Sequence, residues 1–208
     1  MCIKKVGIIV DGQAEFFSLS QIYKRIDTKN QLLSLKKADL QPGAPVKKNA
    51  KRARSALTLL ARKGAKRVIV LLDFEDASGC PGKRKNALED AVSAVGHAVG
   101  ISEVFVVYKN RMYENWLVSD TQALKALPGR FSIKNADTSN IEPNKADNCD
   151  AMCILKSAAQ TEDYSKVSDA ARIMELLDPY RAAKNSRSFR RFLRVVGCAK
   201  YQKGSLHP

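Results

Sequence analysis

Histidine is nearly missing from this chain: His97 and His207 are the only two in 208 residues, and the five cysteines show no paired CxxC spacing. A zinc centre of Cys and His ligands is therefore not expected, although Cys149 and Cys153 lie close enough in sequence to share a helix face. Cys2, Cys80, Cys149, Cys153 and Cys198 read instead as reduced structural thiols, which agrees with a cytoplasmic setting. No stretch approaches ~18 consecutive apolar residues, so no membrane span is expected, and the N-terminus reads as a strand rather than a charged leader. Neither GxxxxGKS/T nor GxGxxG occurs, which argues against a mononucleotide-binding domain of the phosphate-loop kinds. Acids are also scarce, with 21 Asp and Glu against 36 Lys and Arg, for a formal charge of +15 and a pI near 9.7. Such a field draws in polyanions and makes nucleic acid, DNA or RNA, the expected partner. A basic surface without a dedicated ligand is the plainer alternative.

What is present is apolar material in the grammar of an α/β protein. At 45% hydrophobic content the chain can bury a core of its own, as one domain or one domain with a smaller appendage. "KKVGIIV" and "KRVIVLLD" are Val/Ile-rich runs of the kind buried on both faces of a parallel sheet, and "SEVFVVYKN" is a third. "QLLSLKKADLQ" is a shorter possible strand. Between them, "EFFSLSQIYKRI", "NAKRARSALTLLARKGA" and "NALEDAVSAVGHAV" place apolar residues at helical spacing. The alternation predicts a mainly parallel central sheet with helices on both faces. "YENWLVSDTQALKAL" reads as one helix, in which Trp116 either packs in the core or accompanies a functional face. The polar text from Phe131 to Cys149 reads as a loop or lid, and "DAMCILKSAA", "VSDAARIMELLD" and "SRSFRRFLRVVG" as three short helices, with a turn at Asp178 and Pro179. The expected division is an α/β core over 1–130 and a loop with a helical C-terminal extension over 131–208.

The chemistry sits where the strands stop. The first apolar run ends on Asp11, Gly12 and, after two further residues, Glu15; the second ends on Asp73, Glu75 and Asp76. Open α/β sheets bind ligands at that edge. Carboxylates gathered at the ends of adjacent buried strands repel one another, and a cation relieves the repulsion. Mg2+, or Mn2+ in its place, takes oxygen ligands and bridges to phosphate oxygens, so a few side chains suffice. In the plainer reading Asp11 and Glu15 cap a helix while Asp73 and Asp76 end a strand. In the tail, Lys166, Arg187 and Arg190, with Tyr164 and Ser188, are candidates for contacts to backbone phosphates, or are surface basicity with no defined role.

"IIVDGQAE" followed further along by "VIVLLDFED" resembles the Toprim fold, the magnesium-binding domain of topoisomerases, primases and related nucleases. More closely, the chain is similar over nearly its whole length to small bacterial Toprim-like proteins of a domain-of-unknown-function family associated with phage-defence cassettes. "ENWLVSD", "YSKVSDAARIMELLD" and "SRSFRRF" carry that likeness alongside the acidic turns. The resemblance implies a Toprim-like α/β fold in which Asp11 is a general base or metal anchor and Asp73 and Glu75 hold magnesium. Glu15 and Asp76 stand as further ligands, and Glu114 projects into the acidic centre. Lys109 and Arg111 would neutralise the scissile phosphate or satisfy Glu114. Toprim domains usually carry Glu first and Asp third, whereas this chain has Asp11 and Glu75. The implied activity is Mg-dependent phosphodiester hydrolysis by a cytoplasmic antiphage effector, with an ATPase subunit as a further candidate partner. The rival expectation is a non-catalytic nucleic-acid-binding or ATPase-partner module with a degenerate metal site. A phosphoacceptor domain is a third.

Overall fold

The structure, a computed structural model, describes residues 3–74 and 81–201. The chain runs β1 (Lys5–Val10), α1 (Gln13–Tyr23), β2 (Gln31–Lys37), α2 (Val46–Arg62), β3 (Arg67–Asp73), α3 (Pro81–Ala98) and β4 (Glu103–Lys109). The strands form one parallel sheet in the order β2-β1-β3-β4. The chain steps outward from β1 to β2 and then crosses back to β3 on the other side of β1. β1 and β3 therefore flank the topological switch point, where the crevice of an open α/β sheet opens.

Alternation along the strands divides the core. Val6, Ile8, Val10, Ile69, Leu71 and Val107 face one side, under α1 and the C-terminal helices. Ile9, Val68, Val70, Leu72, Val104 and Val106 face the other, under α2 and α3. The two strands at the switch point are buried on both faces, which is why they read as unbroken Val/Ile runs. At Gly7 a Cβ would come within 2.7 Å of Leu60 of α2, so glycine permits that close approach of helix to strand. At the β4 edge, the Val106 amide donates to Glu89 Oε2 at 2.8 Å, giving a side-chain acceptor to a strand group without a further strand to pair with.

After β4 the chain is more helical than its polar text predicts. The expected single helix from Tyr113 breaks into α4 (Tyr113–Val118) and α5 (Thr121–Lys125), because Asp120 accepts from the Gln122 amide and caps the second. The expected loop contains α6 (Asn135–Ile141) and buries Phe131, Ile141 and Ala146. Then follow α7 (Ala151–Ala158), α8 (Ser168–Leu176), α9 (Pro179–Asn185) and α10 (Arg187–Val196). Asp178 and Pro179 do not mark a plain turn. Asp178 accepts from the Tyr180 and Arg181 amides, both at 2.8 Å, and Pro179 occupies the first helical position, so together they start α9.

The C-terminal helices share the α1-side core. Trp116 is fully buried against Phe189 and Phe192, with ring centroids 5.1 and 5.2 Å away, and its indole donates to Ser188 Oγ at 2.7 Å. Ser186 and Ser188 also donate to the buried Asp147, the former at 2.6 Å. The serines of "SRSF" therefore tie the base of α10 to α4 and the segment before α7. No helix among the described residues is long and apolar enough to cross a membrane.

Candidate metal centre

Three carboxylates from distant parts of the chain converge at the carboxyl edge of the sheet. Asp11 follows β1, Glu15 lies in the first turn of α1 and Asp73 ends β3; one ligand oxygen from each falls within 4.8 Å of the others. The Asp73 amide donates to Asp11 Oδ2 at 2.9 Å, locking one strand end to the other. Gly12 makes the turn possible. A Cβ there would lie 2.9 Å from the Glu15 carboxyl carbon, so only glycine lets Glu15 fold back over the turn without displacement.

At the centre of the three stands the ammonium of Lys109. Register pairs Lys109 of β4 with Asp73 of β3, so their side chains leave the sheet side by side. Lys109 is fully buried. Its Nζ donates to Asp11 Oδ1 at 2.8 Å and to Glu15 Oε1, and lies 3.0 Å from Asp73 Oδ1. That last contact has ion-pair distance but not hydrogen-bond alignment, and Asp73 Oδ1 has no hydrogen-bonding partner among the described residues. Burial alone would push the Lys109 pKa down; Asp11, Asp73 and Glu15 outweigh it and hold it well above the ordinary lysine value. The Asp73 pKa rises as well, which for a carboxyl favours the neutral form. Burial, with Asp11 and Glu15 adding to it against the pull of Lys109, raises its pKa to about 7.

The backbone holds this lysine in place. The Phe74 amide is shared by the carbonyls of Lys109 and Arg111, each at 3.0 Å, and Arg111 takes a left-handed φ of 60° to turn its carbonyl inward. That conformation strains a non-glycine residue by roughly 1–2 kcal/mol. Lys109 also stands 5.5 Å from the centroid of Tyr113, whose hydroxyl bonds Ser18 Oγ of α1 at 2.7 Å.

Lys109, a candidate to neutralise phosphate or satisfy Glu114, is completely buried and pairs with Asp11, Glu15 and Asp73 rather than with Glu114. Arg111 is exposed at the rim. Glu114, in the first turn of α4, is buried with its pKa raised by burial, and its nearest cation is Lys166 at 3.9 Å. It stands outside the trio of converging oxygens. Tyr164 buries its hydroxyl without a hydrogen-bond partner among the described residues. Arg187 is exposed on α10, while Arg190 is half-buried and donates to Asn144 Oδ1 and the Ala183 carbonyl. Glu75 and Asp76 lie outside the described residues. The in-site role of Lys109 escaped the sequence reading, though one signal was there: "VFVVYK" is a buried strand ending on a cation, just as "VLLD" ends on an acid.

The molecule is thus a parallel α/β protein with an acidic cluster at its switch point, partly neutralised by an internal lysine. It belongs to the family described as domain of unknown function DUF4276, which matches residues 10–196. No curated protein matches the chain. Among solved structures it is similar to the C-terminal region of the Burkholderia pseudomallei OLD protein, at 13% identity and a TM-score of 0.47, over 94% of this chain and 98% of that one.

Proposed function

We propose that the protein is a Toprim-like, Mg2+- or Mn2+-dependent phosphodiesterase acting on DNA or RNA. The observation that carries this reading is the convergence of Asp11, Glu15 and Asp73. Their three carboxylates against the single ammonium of Lys109 leave a charge of −2 when all are ionised, which one divalent cation would neutralise. The donors are hard oxygens, and Asp73 Oδ1, 3.0 Å from the Lys109 ammonium, is a buried oxygen without a hydrogen bond among the described residues, so the residues fit such an ion. Asp11, Glu15 and Asp73 would hold it, with Glu75 as a further ligand. When bound it would stabilise charge on a phosphoryl oxygen and acidify a water. Lys109 clamps Asp11 and Glu15 in place before any ion arrives, and Glu114, its pKa raised, is suited to hold a proton nearby. On the resemblance alone, the proposal extends to a cytoplasmic effector of phage defence with an ATPase partner.

Calorimetric titration with Mn2+ and a cleavage assay on plasmid DNA and on RNA test this together. Binding and cleavage are expected, and Asp73→Ala should abolish cleavage with an unchanged circular dichroism spectrum. Cleavage that survives in Asp73→Ala removes the mechanism.

One observation favours a second reading. The Lys109 ammonium already occupies the middle of the cluster, as in a degenerate site kept for structure, and the protein would then hold nucleic acid without cutting it. Salt-sensitive binding without turnover, indifferent to chelator, distinguishes that case.

A further inference from the structure

The ends of β3 and β4, the start of α3 and the outer face of α10 enclose an open cleft of about 500 Å³, lined by the chain neighbours of Asp73 and Lys109, namely Phe74, Tyr108 and Asn110. A volume of this size accommodates a ligand of roughly one nucleotide. Its floor is aromatic. Phe74, the residue after Asp73, meets Tyr108 edge-to-face with centroids 5.1 Å apart, and Asn110 offers a carboxamide beside them. Its wall is cationic through Arg187 and Arg191 of α10, while Lys85 of α3 is ion-paired with Glu89.

The two arginines differ from others in the molecule. Arg67, Arg130 and Arg181 each pair with a carboxylate, and Arg190 donates to a carbonyl and an amide oxygen. The Arg187 and Arg191 side chains form no ion pair or hydrogen bond among the described residues, and the Arg191 Nε is buried without one; the carboxylate that acts on Arg191 is Glu89, whose oxygens are taken by Lys85 and the Val106 amide. They are four apart on one helix, where like charges repel. Asp147 also lines the cleft, but its oxygens are taken by Ser186 and Ser188. A buried, unpartnered guanidinium donor is costly unless an acceptor visits it, and a planar fork over an open cleft suits phosphate.

We propose that this cleft receives one nucleotide of a single-stranded nucleic acid, its base against Phe74 and its phosphate between Arg187 and Arg191. The proposal deepens the phosphodiesterase reading by naming a strand state for its substrate, since the cleft adjoins Asp73 along the chain. A single strand is specified because a base reaches an aromatic ring only when it is out of the duplex stack.

The test is fluorescence anisotropy of the full chain in EDTA, with labelled oligo(dT) and oligo(U) of about 12 nucleotides and a duplex of the same length. Single strands should bind at least about tenfold more tightly than duplex. Phe74→Ala should cost about tenfold in single-strand affinity with little change in salt dependence. Arg187→Ala, at an exposed residue with no partner to lose, should weaken binding and lower the salt slope by about one. The paired substitution Lys47→Ala and Lys51→Ala on the exposed basic face of α2 is the comparison, and should cost less than Arg187→Ala. Equal affinity for duplex and single strand, or a loss on α2 as large as at Arg187, overturns the assignment. Because no metal is present, failure of the cleavage reading leaves these expected affinities unchanged.

Discussion

Three buried aspartates of the helical half and the carboxylates at the sheet edge are managed in opposite ways. Asp120 takes both arms of Arg181 and the Asp178 amide; Asp169 takes Arg130 and the Ser165 amide; Asp147 takes two serine hydroxyls and an amide. Each is a single acid surrounded by donors, as a fold requires of a buried charge. At the sheet edge three acids share one lysine, and one acidic oxygen receives no hydrogen bond from the described residues. The pKa directions follow. Asp169 is held below the usual carboxylate range, because hydrogen bonds from Arg130 and Ser165 outweigh its burial, whereas burial and two neighbouring acids lift Asp73 to about 7. These three aspartates come with their donors, whereas the buried Glu114 has as its ion-pair partner among the described residues only Lys166, at 3.9 Å, and the sheet edge carries negative charge in excess of its single lysine.

Removing Lys109 should break the contrast most severely. Lys109→Met leaves three partly or fully buried carboxylates without a counterion, and a loss of about 3–5 kcal/mol is expected. Thermal unfolding should shift down by on the order of 10 °C. Millimolar Mn2+ should restore much of it, because a cation can take the vacated position. An unchanged midpoint would mean that the ammonium neutralises nothing of consequence.

Asp169→Ala should be milder, about 2 kcal/mol, because Arg130 keeps the carbonyls of Glu162 and Asp163. Denaturant unfolding measures it. Here Mn2+ should give no rescue, and rescue equal to that of Lys109→Met would erase the distinction between the two regions.

The smallest effect concerns pH. Asp73 binds a proton in the native state up to about pH 7 but in the unfolded chain only near its ordinary value of 3.8, so its contribution to stability is full at low pH and is lost as pH rises through about 7. With a quarter of the side chain exposed, the swing should be about 1–2 kcal/mol. Asp73→Asn should flatten that slope in metal-free buffer. Asp169 and Glu103, whose pKa values are lowered, contribute with the opposite sign: their stabilisation is present above the ordinary carboxylate range and lost as pH falls through their lowered values. A slope unaltered by Asp73→Asn would assign the neutral-range titration to another group.

Much of the architecture was legible because it is written in local pattern. The Val/Ile runs, the acid and glycine after β1 and the helical stripes each need only a few neighbouring residues to be read. The breaks in the C-terminal half were not, since each depends on a distant partner. Asp120 ends one helix and begins another while anchored to Arg181, and the serines before α10 are set by Asp147 and Trp116. The candidate site was half legible: the acids at the strand ends stood out, while Lys109 looked like a ligand for phosphate.

The amino-acid sequence on its own determined that there would be buried parallel strands ending in acids on a strongly basic chain, because burial and turn chemistry act over short stretches. Which acids would meet, and that a lysine would stand among them, only the tertiary structure decided. The strand order sets β1 beside β3, and the register sets Asp73 beside Lys109. Both are properties of long-range pairing that no local periodicity encodes.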